Sequence, residues 1–393
     1  MNKLHLAGAG LLSLSLLAAG CGGSGGGIGG TGNEVGTLHV ALTDAPACGY
    51  DAVNVTVEKV RVHRSATAGD DDAGWSEIVL SPARRIDLLS LQNGVLEDLG
   101  QTQLPAGAYT QLRLVLAAND GAHPLANSVV PTGGVETALD TPSGQQSGLK
   151  LNADLQVPAN KVLDLVLDFD ACKSVVRAGN SGKYNLKPVL SVTTVLSDAG
   201  QRVVGYVDAA TAAAGASVSL QSGAAIVKAG APDASGRFVL YPVPAGSYDL
   251  VVSASGHVTA VVTGVPVTTT AYTDVGGVAA PIAPPLSTPA DAAVGGTVQP
   301  ATAAVRALQA LTGGPTVEVR WAVSDASTGT FALSLPVGAP VKAAYVPSPQ
   351  LPVFAADAAV AGKYTVEATS SGVAKTAQVD ATAPVPPLSF VFP

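Results

Sequence analysis

The stretch LVLDFDAC, residues 165–172, carries Asp168, Asp170 and Cys172 on alternate positions. Carboxylate oxygens so placed suit a hard cation such as Ca2+. On an extended strand rising about 3.3 Å per residue, Asp164 and Asp168 lie roughly 13 Å apart and cannot share an ion. Asp168 and Asp170, nearer the strand end, could share one with help from a loop. Leu163, Leu165, Leu167 and Phe169 nevertheless alternate with these acids, and that period of two describes a half-buried strand with a solvated acidic face. The expectation is scaffolding that needs no cofactor, with Asp168 and Asp170 as the pair to which a metal would go.

A wider search for chemistry finds little. GxSxG, HExxH and paired CxxC motifs are missing, and Gly179 to Lys183 is too short for a phosphate loop. His39, His63, His123 and His257 are isolated in sequence. A cryptic hydrolase would need a Ser/His/Asp set assembled through space, so the chain reads as non-enzymatic. The net charge of −8, with 21 Lys and Arg against 29 Asp and Glu, excludes the clustered basic surface that nucleic acid requires. Sugar recognition usually needs exposed aromatic faces, and aromatics are only 4% of the chain. Trp75, Trp321, Tyr241 and Tyr345 are the possible ligand-binding residues, with Trp75 placed beside the acidic loop Asp70-Asp71-Asp72.

The N-terminus, MNKLHLAGAGLLSLSLLAAGC, has one Lys, a short apolar segment and then Ala18-Ala19-Gly20-Cys21, the layout of a secretory signal. It resembles the lipobox of bacterial lipoproteins, which implies acylation of Cys21 and a membrane partner reached through lipid chains. Gly22 after the cysteine fits outer-membrane sorting. Residues 21–33, rich in Gly, form a flexible tether. Export implies an oxidising compartment, and with Cys21 acylated only Cys48 and Cys172 remain to form a disulfide. A loop of that length is worth roughly 4 to 5 kcal/mol in the chain-entropy model.

Composition sets the architecture. The chain has 393 residues, 44 Gly and 27 Pro, and many short alternating runs punctuated by turn residues point to an all-β fold. Leu38, Val40 and Leu42 form one run, and Val53, Val55 and Val57 another whose parity shifts at Val60 and Val62, which calls for a bulge near Glu58 and Lys59. SATAGDDDAG and NDGAHPLANS read as exposed loops. TLHVALTDAPACGYDAVNVTVEKVRVH, RRIDLLSLQNGVLEDLG, LPAGAYTQLRLVLAAN, LDLVLDFDACKSVV and GKYNLKPVLSV together resemble the bacterial lipoprotein domain known as domain of unknown function 4382. That resemblance brings no catalytic residue.

Residues 202–278, with DASGRFVLYPVPAGSYDLVVSASG, resemble the carboxypeptidase regulatory-like domain, which implies a prealbumin-like sandwich. In residues 292–393, DASTGTFALSLPVGAP and GKYTVEATSSG echo DASGRFVLYPVPAG and GSYDLVVSASG, so this segment reads as a divergent second copy. Pro105-Ala106-Gly107-Ala108-Tyr109 uses the same turn-to-strand device. The expected organisation is a signal peptide at 1–20, the tether at 21–33, and antiparallel β-sandwiches of immunoglobulin or prealbumin type at 34–198, 202–278 and 292–393. A Pro-rich linker at 279–291 joins the last two.

The function expected is that of a non-catalytic lipoprotein of the bacterial cell envelope, placed at the outer membrane and serving as a structural or protein-interaction module. The alternative is a carbohydrate-binding surface lipoprotein. Its partners would be the membrane and an envelope protein or polysaccharide.

Overall fold

A computed structural model describes residues 34–44, 49–142, 147–196 and 200–393. Nearly all regular structure is strand, in six sheets that group along the chain into three sandwiches. The all-β tandem architecture is thus as the alternation of apolar residues implies.

The first group faces a four-stranded sheet against an eight-stranded one. The four-stranded sheet places Val35–Asp44 between Glu97–Pro105 and Val162–Phe169, with Leu190–Val195 outside the latter. Leu38, Val40 and Leu42 on one strand and Leu163, Leu165, Leu167 and Phe169 on the other point into one core, as the period of two dictates. Tyr50–His63 is the long central strand of the other sheet, and its register shifts between Val57 and Lys59, which is the bulge that the parity change requires.

Two features depart from the sequence reading. Val35–Asp44 and Val162–Phe169 run parallel, so this sandwich is mixed rather than antiparallel; the pairing is possible because the strands are separated by a long crossover through the opposite sheet. The strand carrying the acids also ends at Phe169. Asp170 then caps a short helix, Ala171–Ser174, by accepting from the Lys173 amide at 2.9 Å, which buries Cys172 instead of leaving it at a strand rim.

The second and third groups share one strand order. In the second, Val203–Tyr206 lies between Arg237–Leu240 and, in parallel, Thr273–Val275. In the third, Ala292–Gln299 lies between Thr330–Leu335 and, in parallel, Leu388–Val391. Their facing sheets match as well: Ala225–Gly230, Ser217–Ser222, Gly246–Ser253 and Ala260–Val267 correspond in order to Thr316–Val323, Ala304–Ala310, Lys363–Ser370 and Val373–Asp380. The turns repeat the same chemistry. Asp233 accepts from the Ser235 amide and hydroxyl, and Asp325 does so from Ser327. Gly236 and Gly329 have positive φ and sit where a Cβ would strike the carbonyl oxygens of Val207 and Val298.

One segment leaves its expected place. Val341–Ala344, within the third group's sequence, pairs in parallel with Ala260–Val267 and extends the second group's sheet. The outer face of that sheet also contributes Val251 and Val261 to the third group's core, so the last two groups share apolar packing. The core of the first group is separate.

Candidate functional site

The four aromatic residues singled out above do not converge. Trp75 is held in the first group: its Nε1 donates to the Gly69 carbonyl at 2.9 Å, and the guanidinium carbons of Arg61 and Arg113 lie 4.5 and 4.7 Å from its ring. Arg113 is itself buried and paired with Asp70, so the indole and the acidic loop stitch a turn onto the sheet rather than offer a free sugar face. Tyr241 is 5% exposed under the Arg202 guanidinium, which corrects the expectation that it could stack on a ligand. Tyr345 is half-buried against the second group's core. Trp321 lines three cavities, of about 290, 460 and 380 Å3.

The first of these lies where the three groups meet, and the other two lie between the first group and the third. The short helix of the first group presents Lys173, whose Nζ reaches Glu318 Oε1 at 3.2 Å and lies 5.7 Å from the Trp321 ring. Glu318 is buried on Thr316–Val323 of the third group, with Arg306 Nη1 3.4 Å from its Oε2. Arg306 is also paired with Glu367 at 2.8 Å. Gln221 of the second group then grips the Glu318 backbone from both sides, donating to its carbonyl and accepting from its amide, each at 2.8 Å. Such doubly bonded amides act as a substitute strand pair.

Further polar contacts tie the same joint. Lys228 Nζ of the second group lies 2.8 Å from Asp168 Oδ2 of the first, close enough for an ion pair though not aligned for a hydrogen bond, and both side chains are largely buried. Gly179 N donates to Asp325 Oδ2 at 2.7 Å, and Ala326 N to the Arg177 carbonyl at 3.1 Å. Asp325 collects several such donors, led by the Thr328 amide, and its carboxyl is held far below the usual range. Burial pushes the Asp170 carboxyl upward against the pull of Lys173.

These contacts engage both of the acids named as the pair to which a metal would go. Asp168 faces an ammonium and Asp170 caps a helix, and no group of three or more His, Cys, Asp or Glu among the described residues could hold an ion. The acidic face of the strand is therefore partly covered by the second group instead of being solvated. Cys172 is buried and is not a free thiol; Cys21 and Cys48 lie outside the described residues. No helix among the described residues is long and apolar enough to cross a membrane.

Comparison with known proteins adds one domain. Residues 35–188 match a family model described as a domain of unknown function, DUF4382. No curated protein matches the chain. Among solved structures, the chain is similar to chains in two crystal structures of a type II cohesin–X-dockerin complex from Acetivibrio cellulolyticus, one an N-terminal and one a C-terminal interface mutant. The identities are 25% and 26%, each with a TM-score of 0.19 and 22% of this chain covered. The match spans 59% of each of those chains, and at that TM-score it carries no argument.

Proposed function

We propose that this chain is a non-catalytic, lipid-anchored envelope protein of the bacterial outer membrane that works as a structural or protein-interaction module. The observation that carries the reading is the Glu318 joint, where buried charges and amides from three sandwiches are spent on holding the groups together. A body fixed in this way can present loops and edges at constant spacing, which is what an interaction module needs.

In this reading Cys21 is acylated and residues 21–33 tether the body to the membrane. Cys48 pairs with Cys172. That pairing is supported by the parallel register Asp44↔Phe169 and by the bond from the Ala171 amide to Asp44 Oδ1 at 2.9 Å, which bring Asp44, four positions before Cys48 in sequence, beside the helix that carries Cys172. The repeated strand order and turn chemistry support reading 202–278 and 292–393 as carboxypeptidase regulatory-like units. Envelope polysaccharide is the lesser reading, because the aromatic candidates form no common platform.

The test expresses the full chain in a Gram-negative host fed labelled palmitate, with a photo-crosslinking residue at Leu351 or Val353, exposed at 51% and 86%. Label that disappears in Cys21→Ser, together with discrete envelope-protein adducts, is the expected result. Label that persists in Cys21→Ser removes the anchor from the reading. Saturable binding to peptidoglycan or lipopolysaccharide without any protein adduct removes the interaction role.

A further inference from the structure

The 290 Å3 cavity at the joint carries an inference that goes beyond the interaction reading and does not depend on it. One wall is the outer face of the second group's sheet. Ser217 and Ser253 are register partners there on neighbouring strands, and Ser219 follows on the same face. Ser219 accepts from Gln221 at 3.0 Å, but among the described residues no hydrogen bond engages the hydroxyls of Ser217 and Ser253.

The opposite wall is charged, yet its charges are already matched. Glu318 is answered by Lys173 and Arg306, and Asp170 is taken up by the helix it caps. The Arg320 guanidinium donates to the carbonyls of Val319 and Ala254 at 2.9 and 2.7 Å and feels the nearby Asp291 carboxylate. Asp291 Oδ2 accepts from the Gly256 amide and the Ser334 hydroxyl, while its Oδ1 is buried with no partner. A buried acceptor of this kind costs stability unless a donor reaches it.

What the cavity lacks therefore defines what it would take. An anion meets three carboxylates, and a metal ion meets Lys173 and Arg320. A neutral molecule carrying several hydroxyls can exchange hydrogen bonds with Ser217 and Ser253 and lay an apolar C–H face toward the Trp321 indole. The volume is near the lower end of small-molecule sites, about 300 Å3, which suits one ring and not a chain.

We propose that the cavity bordered by Ser217, Ser253, Asp291 and Trp321 binds one cyclic polyol of single-sugar size, either a free monosaccharide or the terminal unit of a glycan. The experiment is titration calorimetry of the full chain against free neutral monosaccharides and inositol in one arm, short oligosaccharides in a second, and amino acids and inorganic phosphate in a third. Saturation in the first or second arm, with the Kd raised at least tenfold by Ser217→Leu and severalfold by Ser253→Ala, is expected. The arm that binds more tightly identifies the source. Circular dichroism of each variant establishes that the fold is kept, and Ser253→Ala serves if Ser217→Leu fails to fold. Silence in both polyol arms, tighter binding in the third, or affinity unmoved by Ser253→Ala in the folded protein each overturns the proposal.

Discussion

His39 lies between two carboxylates, with Nδ1 2.8 Å from Asp164 Oδ1 and Nε2 3.1 Å from Asp98 Oδ1. Burial of the ring alone lowers its affinity for a proton, but the bonds to Asp164 and then Asp98 outweigh that and raise the pKa above the ordinary 6.5. The reason is stoichiometric, because only the imidazolium has an N–H for each acid. The folded protein thus holds this proton more tightly than the unfolded chain does. Its stabilisation is complete below about pH 6.5 and fades as the pH rises through the raised folded value. With the imidazole about a third exposed, the loss should be only some tenths of a kcal/mol. Urea midpoints between about pH 6 and 8 should fall slightly in the native chain and less so in His39→Gln; an equal slope in both would remove the role. In sequence, His39 reads as an isolated surface residue, because Asp98 and Asp164 reach it only across two strand pairings. The same limit applies to Trp321, whose type is legible but whose company of Lys173, Ser217 and Asp291 comes from distant segments.

Tyrosine corners show how far local pattern reaches at the scale of elements. Tyr109 donates to the Pro105 carbonyl and Tyr248 to that of Pro244, both at 2.9 Å and both four residues back, so the shared Pro-Ala-Gly signature foretells the turn. In the third group Tyr364 makes the same bond, at 2.5 Å, to Pro336, with Val341–Ala344 and the following segment interposed. The device survives because the inserted residues leave to pair with the second group's sheet and return. Tyr364 and Pro336 are buried, whereas Pro244 is exposed. Tyr364→Phe strands a buried acceptor and should cost about 1 to 2 kcal/mol, against roughly 0.5 or less for Tyr248→Phe, where water can replace the hydroxyl. Equal shifts in thermal midpoint for the two variants would contradict that ranking. Strand positions and the bulge at Val57 and Lys59 were legible because each rests on a period of two within one segment. The parallel pairings were not, since register between strands far apart in sequence leaves no local mark. The helix at Ala171–Ser174 did leave one: an Asp ahead of Ala-Cys-Lys-Ser is an N-cap signal overshadowed by the alternation before it.

Across the whole molecule, two kinds of joint coexist. The second and third groups share a core through Val251 and Val261 and a common sheet through Val341–Ala344. The first group keeps a separate core and meets the others through polar contacts, among them Lys228 with Asp168 and Lys173 with Glu318. Apolar joints tolerate the loss of one side chain better than joints of buried charge. An ion pair taken out of water repays its desolvation only while both partners are present, and removing one partner costs about 3 to 5 kcal/mol. Lys173 has Asp170 as a second acid, and Arg306 has Glu367, so the Glu318 cluster has internal cover. Asp168 has no other cation among the described residues, which makes Lys228 the sensitive point. In Lys228→Ala the first group should undock and melt ahead of the other two, splitting a single calorimetric transition into two. The double variant Asp168→Asn, Lys228→Met removes both charges and should bring the transitions back together, because no ion is left uncompensated. If Lys228→Ala melts in one unshifted transition, the first group is held by something other than this ion pair; if the double variant stays split, the effect of Lys228 is packing and not charge.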